Sequence, residues 1–321
     1  MQRTDNPNHA ARPMRIAVSG SHGLVGRELC AVLSAAGHHV VRIVRVNSGE
    51  QPTRDCIALT IDPTGAQRAL PTEFEGIDAV VHLAGAGIAD KRWSAARKQE
   101  ILDSRVKSTR AIAEAMATAQ RTCERPPRAL ICASGVGYYG PGSSVVDESS
   151  GAGLGFLADV VQQWEEASRS ARDVGIRTVH LRFGVILSKR GGALGAMLRP
   201  FRYGLGGPIG SGEQGFPWVA IDDAIGALRY CLARESIDGA VNVVAPEQVS
   251  QRAFAKELGK AIHRPAIARM PAFLVRIIFG EMGQALLLEG SFVAPRVLTE
   301  HGFVFAQPTL RGALGRILQP A

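Results

Sequence analysis

The run Arg15-Ile16-Ala17-Val18-Ser19-Gly20-Ser21-His22-Gly23-Leu24-Val25-Gly26 decides the fold. An apolar stretch of strand length enters a turn with glycine at positions 20, 23 and 26, and a helical pattern, Leu24–Ala36, begins at once. A strand, glycine turn and helix in this order cradle a dinucleotide. Gly20 permits the tight turn, Gly23 lets the backbone approach a pyrophosphate, and Gly26 lets the helix pack closely on the sheet. The anion rests on free N–H groups at the positive end of the helix. The whole run Gly20, Ser21, His22, Gly23, Leu24, Val25 and Gly26 is therefore expected to hold the cofactor.

Outward from this stretch, strand-length apolar runs alternate with helical patterns. Strands are predicted at Arg15–Ser19, His39–Arg45, Cys56–Ile61, Ala79–Leu83, Ala129–Ser134, Thr178–Phe183 and Ala240–Val244. Helices are predicted at Leu24–Ala36, Ser94–Ala119, Leu157–Val174, Ala193–Tyr203 and Asp223–Ala233. This alternation is the pattern of an α/β, doubly wound parallel sheet, a Rossmann fold. After Pro246 the strand signals stop, and amphipathic segments at Gln251–Ile262, Ala272–Phe279, Gln284–Leu288 and Leu310–Leu318 predict a smaller, mostly helical C-terminal subdomain. The expected division is a disordered tail over 1–13, a dinucleotide-binding domain over 14–245 and the helical subdomain over 246–321. The Gly/Pro-rich insert 204–217 joins the substrate side.

The second strand settles which dinucleotide is expected. An NAD-selective site places a carboxylate near its end for the ribose 2′-hydroxyl, whereas Arg42-Ile-Val-Arg45 has no acid nearby. Arg45 instead offers a guanidinium to a 2′-phosphate, which points to NADP. Asp62, after the third strand, is placed to accept from the adenine amino group, and as a turn residue before Pro63 it has an equally good structural reason to be there.

Composition narrows the class. The 321 residues are 46% hydrophobic and 21% charged, so a sizeable core is available and disorder or a coiled coil is excluded. The net charge of +8 comes from scattered arginines, and only 6% of residues are aromatic, so no nucleic-acid surface is expected. Five cysteines without a CxxC pair read as reduced thiols of a cytoplasmic protein, with no metal site. No apolar segment approaches the ~20 residues of a membrane span. The expected partner is a small-molecule substrate, with a homodimer left open.

Several further stretches carry a resemblance: His82-Leu-Ala-Gly85, Ile88-Ala-Asp-Lys-Arg-Trp93, Ala133-Ser-Gly-Val-Gly-Tyr-Tyr-Gly140, Leu181-Arg-Phe-Gly184, Gly206-Gly-Pro-Ile-Gly-Ser-Gly212, Trp218-Val-Ala-Ile-Asp-Asp223, His301-Gly-Phe303 and Pro308-Thr-Leu310. With the glycine turn they run in order through residues 14–318. The chain resembles the atypical and extended short-chain dehydrogenase/reductases, in the NAD-dependent epimerase/dehydratase branch whose C-terminal domain has no assigned role. The resemblance implies that Leu83, Ala84 and Gly85 line the adenosine and ribose, and that Arg182 belongs to the cofactor site. It also implies that Ser134, with Tyr138 or Tyr139, lies near the nicotinamide as the catalytic group.

The chain departs from that family in instructive places. Its enzymes pair a Tyr with a Lys four residues on, the Lys easing proton exchange with the substrate oxygen. Here the helix reads Phe156-Leu-Ala-Asp-Val-Val-Gln-Gln-Trp-Glu165, and neither register, Phe156 with Val160 nor Leu157 with Val161, can move a proton. Counted back from Tyr139-Gly140, the usual catalytic hydroxyl position holds Gly135, one beyond Ser134. Phe216 and Ala220 replace an Arg and a His, which predicts a more apolar pocket and speaks against nucleoside-diphosphate sugars. Lys91, Arg92 and Trp93 are expected over the cofactor or substrate, and Asp222 and Asp223 are expected to cap a helix. Arg105 stands where many relatives carry a structural Asn, its role open. Two readings follow: an NADP(H)-dependent oxidoreductase or epimerase-like enzyme acting on a small, non-nucleotide carbonyl or alcohol, or an NADP(H)-binding regulator without turnover.

Overall fold

Strand β1 (Arg15–Ser19) leads into α1 (Leu24–Ala35) and β2 (His39–Asn47), and the computed structural model describes residues 12–47, 56–61 and 67–319. The remaining strands of the main sheet are β3 (Cys56–Ile61), β4 (Gln67–Arg68), β5 (Ala79–His82), β6 (Ala129–Gly135), β8 (Arg177–Phe183) and β11 (Gly239–Val243). Their order is β11-β8-β6-β5-β1-β2-β3-β4, parallel except for the β3–β4 pair. Strand order reverses at β1, between β2 and β5. A ligand crevice therefore opens beyond the carboxyl ends of β1 and β5.

Continuous apolar runs make these strands because both faces are covered. On one face, Ile16, Val18, Val81, Ile131 and Leu181 pack under α1 and α6 (Ile221–Ala233). On the other, Ala17, Val41, Val80 and Leu130 meet the alanine-rich side of α2 (Ala95–Thr122), whose first turn is capped by Ser94. The predicted helix Leu157–Val174 is two helices, α3 (Phe156–Glu166) and α4 (Arg169–Asp173). The break has a local cause. Ser168 Oγ donates to the Glu165 carbonyl at 2.7 Å and meets His180 Nε2 at 2.9 Å, which turns the chain.

A third core forms away from the sheet. Helix α5 (Gly192–Arg202) contributes Leu194 and Leu198, α7 (Gln251–Ala261) contributes Phe254 and Leu258, and α10 (Leu310–Leu318) contributes Leu314. Two short parallel pairs join the parts: β9 (Val185–Leu187) with β10 (Trp218–Ala220), and β7 (Val145–Val146) with β12 (Phe292–Val293). The second pair corrects the expectation that strands end at Pro246; two residues are too few to show a period. Helix α8 (Ala272–Gly283) is kinked at Gly280 (φ 61°, ψ −142°) and continues into a π turn, Gln284–Leu288. Helix α9 (Arg296–Glu300) follows.

Carboxylates fasten this C-terminal segment. Asp223 accepts from the backbone N–H groups of Ala306 (2.7 Å) and Gln307 (2.9 Å), so it anchors a loop, while Ala220 occupies the helix N-cap position where an aspartate was expected. Glu148 accepts from the N–H groups of Asn242, Arg296 and Val297. Glu247 accepts from that of Leu310. Among the described residues no helix is long and apolar enough to cross a membrane, and no group of three or more His, Cys, Asp or Glu is placed to hold a metal. The tail 1–11 and Asp62 lie outside the described residues.

Candidate cofactor and active site

The glycine turn is shaped by backbone contact. Gly20 has φ 67°, and a Cβ on it would lie 2.7 Å from the Leu83 carbonyl carbon and 2.8 Å from Ala84 N. A Cβ on Gly26 would lie 2.2 Å from Gly20 O. No other residue fits either place. Gly23 is different, because the nearest atom to its absent Cβ is Gly20 O at 3.2 Å and the residue is exposed. The room above it is not used by the protein. Helix α1 has no side-chain cap, and the N–H groups of Leu24, Val25 and Gly26 have no partner among the described residues. This is a cradle of the size and polarity that a pyrophosphate fits. Ser21 is buried beneath it, His22 is exposed beside it, and Leu24 and Val25 are half-buried.

The second wall is the end of β5. Register places Ser19 beside His82. Ser19 Oγ lies 2.6 Å from His82 Nδ1, and His82 Nε2 lies 3.1 Å from Ser108 Oγ. Ser108 Oγ donates to the Ser104 carbonyl at 2.7 Å, so His82 donates from Nε2 and accepts at Nδ1. Ser19 Oγ in turn accepts from the N–H groups of Leu83 (3.1 Å) and Ala84 (3.3 Å). Full burial pushes His82 down to about 4, so the ring is neutral and fixes the Leu83–Gly85 segment against the glycine turn. Gly85 itself is exposed. Arg45 is exposed on β2, two residues before the strand ends rather than at its tip.

A row of polar side chains crosses the sheet at the other wall. Ser134 pairs in register with Arg182, and Arg182 with Asn242. Arg182 grips Glu165 of α3 with both arms of its fork, Nε to Oε1 and Nη2 to Oε2, each 2.8 Å. Its Nη1 donates to Tyr139 Oη at 3.1 Å, and its Cζ stacks 3.4 Å from the Tyr138 ring centre. Ser134 Oγ donates to Glu165 at 2.6 Å, and Tyr139 Oη to Asn242 Oδ1 at 2.8 Å. Burial alone would raise the Glu165 carboxyl; Arg182, His180 and Ser134 outweigh it and hold the carboxyl below its usual range. Burial also pushes the Tyr139 phenol up, against the pull of Arg182.

This row redistributes the expected roles. The hydroxyl protons of Ser134 and Tyr139 are committed to Glu165 and Asn242, and all three nitrogens of the Arg182 fork donate to protein groups, so these side chains form a brace. Tyr138 is half-buried, and its hydroxyl has no partner among the described residues. Glu165 and Asn242 were missed by sequence reasoning; the register of β8 and β11 brings Asn242 to the row, and the last turn of α3 brings Glu165.

The helix face opposite Gly135 and Gly137 is hydrocarbon. A Cβ on Gly137 would lie 3.1 Å from Leu157 Cβ, and one on Gly135 4.0 Å from Val161 Cγ2. Leu157 with Val161 is therefore the register that faces the loop, while Phe156 turns away to meet Trp93 edge-on at 4.9 Å. Lys98 lies 5.2 Å over the Phe156 ring and pairs with Glu281 at 3.0 Å, and Arg92 abuts the kink at Gly280. Phe216 stacks on Phe254 at 4.1 Å, and Ala220 is buried in the same cluster. Both pack with the third core, Phe216 half-buried, and neither brings a charged or hydrogen-bonding side chain there.

Comparison with known proteins agrees with this geometry. The model of the NAD dependent epimerase/dehydratase family matches residues 16–244, and a domain of unknown function (DUF1731) matches residues 270–317. An epimerase family protein of Mycobacterium tuberculosis is 40% identical over 304 residues, covering 94% of this chain and 96% of its own. The human epimerase family protein SDR39U1 is 36% identical over 309 residues, 95% of this chain and 100% of its own. Among solved structures, human SDR39U1 (isoform 2) with NADPH superposes with a TM-score of 0.83 at 35% identity, covering 95% of this chain and 99% of that one. A nucleoside-diphosphate sugar epimerase from Corynebacterium glutamicum gives 0.74 at 31% identity, covering 95% of this chain and 59% of that one. Matched over most of its length in sequence and in fold, the chain belongs to the NAD dependent epimerase/dehydratase family.

Proposed function

We propose that the chain binds NADP(H) and works as an oxidoreductase or epimerase-like enzyme on a small, non-nucleotide carbonyl or alcohol compound. The carrying observation is the cradle at the β1–β5 switch point, with open room at Gly23 and unpaired N–H groups on α1. The NADPH named with the human relative supports the phosphorylated cofactor, as does Arg45, which has no ion-pair partner among the described residues. Residues 14–245 carry cofactor binding, and residues 246–321 with the insert 204–217 carry the substrate side. When bound, the nicotinamide supplies or accepts hydride. Tyr138 holds a proton at Oη for the substrate oxygen, and Arg182, stacked on its ring, keeps it in place.

Fluorescence titration of the full chain tests the cofactor. NADPH binds at least about tenfold more tightly than NADH, and Arg45→Ala removes most of that preference, because a guanidinium–phosphate hydrogen bond contributes roughly 1.5–3 kcal/mol. Equal affinities, or a preference unchanged in the variant, would remove Arg45 from the site. Turnover is read separately, as NADPH oxidation against a panel of aldehydes, ketones and quinones. Reduction is the favoured direction, since among the described residues no lysine stands beside the loop to make a tyrosine a base, and Tyr138→Phe lowers the rate by roughly 10²-fold. Activity retained in that variant would overturn the assignment of Tyr138. The second reading, a regulator without turnover, is favoured by one observation: Leu157 and Val161 occupy the face where the family's proton-transfer pair stands. Tight NADPH binding with no turnover across the panel would select it.

A further inference from the structure

Helix α8 presents hydrocarbon to solvent. It buries Val275 and Met282, whereas Phe273 (59% exposed), Leu274, Ile277 (66%) and Ile278 are bare. At helical spacing these four positions share one face of the two turns that precede the Gly280 kink. The chain that enters the helix extends this surface. Residues 205–210 and 266–270 run side by side, the Ala268 N–H donating to the Gly206 carbonyl and the Met270 N–H to that of Pro208, both at 3.0 Å. On this pair Leu205 (68%) and Ile267 (82%) are exposed.

Four exposed arginines border the hydrocarbon. Arg276, on α8 itself, donates from Nε to Gln284 Oε1 at 2.9 Å. Arg269 donates from Nε to the Gly210 carbonyl at 2.8 Å, and Arg264 from Nε to the Arg202 carbonyl at 3.2 Å. Arg92 lies at the far end, its Nη2 3.1 Å from where a Cβ on Gly280 would be. None of the four pairs with a carboxylate among the described residues. The acids of this region are already engaged: Glu281 pairs with Lys98 at 3.0 Å, Glu213 with Arg252 at 2.9 Å, and Glu289 accepts from Gln284 at 2.7 Å.

Six large apolar side chains left in water form a patch of the kind that a partner covers, and the charge indicates which partner. A second copy meeting this face across a twofold axis would set the arginines against their own counterparts, with no free acid to answer them. An anionic bilayer surface answers both features, offering hydrocarbon to the apolar row and phosphates to the guanidinium forks. The bare side chains also stand on a helix ridge about 12 Å long rather than in a groove, and lipid yields around a ridge.

We propose that α8, with Leu205 and Ile267, seats the protein on an anionic lipid surface, lying in the headgroup layer without crossing the bilayer. The proposal is independent of the cofactor reading, because it concerns a different face and a different ligand.

Flotation of the full-length protein with two kinds of vesicle tests it: phosphatidylcholine alone, and equal parts of phosphatidylcholine and phosphatidylglycerol. Wild type binds the mixed vesicles at least about tenfold more tightly than the neutral ones, and loses most of that binding between about 0.1 M and about 1 M salt. Phe273→Ser/Ile277→Ser weakens binding to the mixed vesicles about tenfold or more. Arg269→Gln/Arg276→Gln does the same, since each arginine near an anionic surface contributes about fivefold. All four side chains are exposed, so both variants melt with the wild type. If the serine pair lowers the melt, Ile277→Ser alone is read in its place, with an expected loss of about threefold or more. No binding, equal binding to the two vesicles, or full binding in either variant overturns the proposal. So does a dimer, seen by sedimentation velocity without vesicles, that Phe273→Ser/Ile277→Ser dissociates, because the face would then belong to a second copy.

Discussion

Arg182→Leu unfolds in urea with a stability roughly 3–5 kcal/mol below that of the parent chain at pH 7, because it leaves a buried carboxylate uncompensated. The magnitude follows from burial: the Arg182 side chain is 5% exposed and that of Glu165 14%. With the guanidinium gone, burial governs Glu165 and raises its carboxyl. A raised acid is destabilising above its folded pKa, so the deficit of Arg182→Leu shrinks as the pH falls from 7 to 5. The double variant Glu165→Leu/Arg182→Leu is correspondingly less damaged than Arg182→Leu alone, since no lone charge remains. A loss under about 1 kcal/mol for the single variant would show that the brace contributes little to stability.

Acid weakens the fold through two histidines. Burial pushes both His82 and His180 down to about 4 from an ordinary 6.5. A base whose folded pKa is depressed gives stability that is full above the unfolded value and is lost as the pH falls toward the folded one. By pH 5 the unfolded chain gains protons that the folded chain refuses, a loss of about 2 kcal/mol per histidine. Urea midpoints measured between pH 7.5 and 5 therefore fall steeply below pH 6.5. Replacing His82 with Gln, which retains a donor and an acceptor, flattens about half of that slope. A level profile from pH 7 to pH 5 would contradict the neutral, buried state of both rings.

The fold was legible because parallel strands buried on both faces read as unbroken apolar runs, as at Ile16–Val18 and Val80–Val81. The cradle was legible because its glycines answer to local backbone geometry. The row Ser134, Arg182 and Asn242 was not, since three residues 48 to 108 positions apart become neighbours only through sheet register. Glu165 looked like any helix acid, and nothing in its surroundings along the chain marks it as the partner of Arg182. Sequence left two registers open for the α3 face, and the contacts of Leu157 at Gly137 and Val161 at Gly135 separate them.

The three carboxylates that fasten the C-terminal segment have an evolutionary consequence. Glu148, Asp223 and Glu247 bind residues 296, 297, 306, 307 and 310 through backbone N–H groups alone. Such a joint is blind to side-chain identity on its C-terminal side. Side chains there can therefore change freely, as long as the main chain passes the same points and the three acids persist. Anchorage and side-chain identity are inherited separately, which lets the segment's sequence drift without loosening its attachment to the sheet.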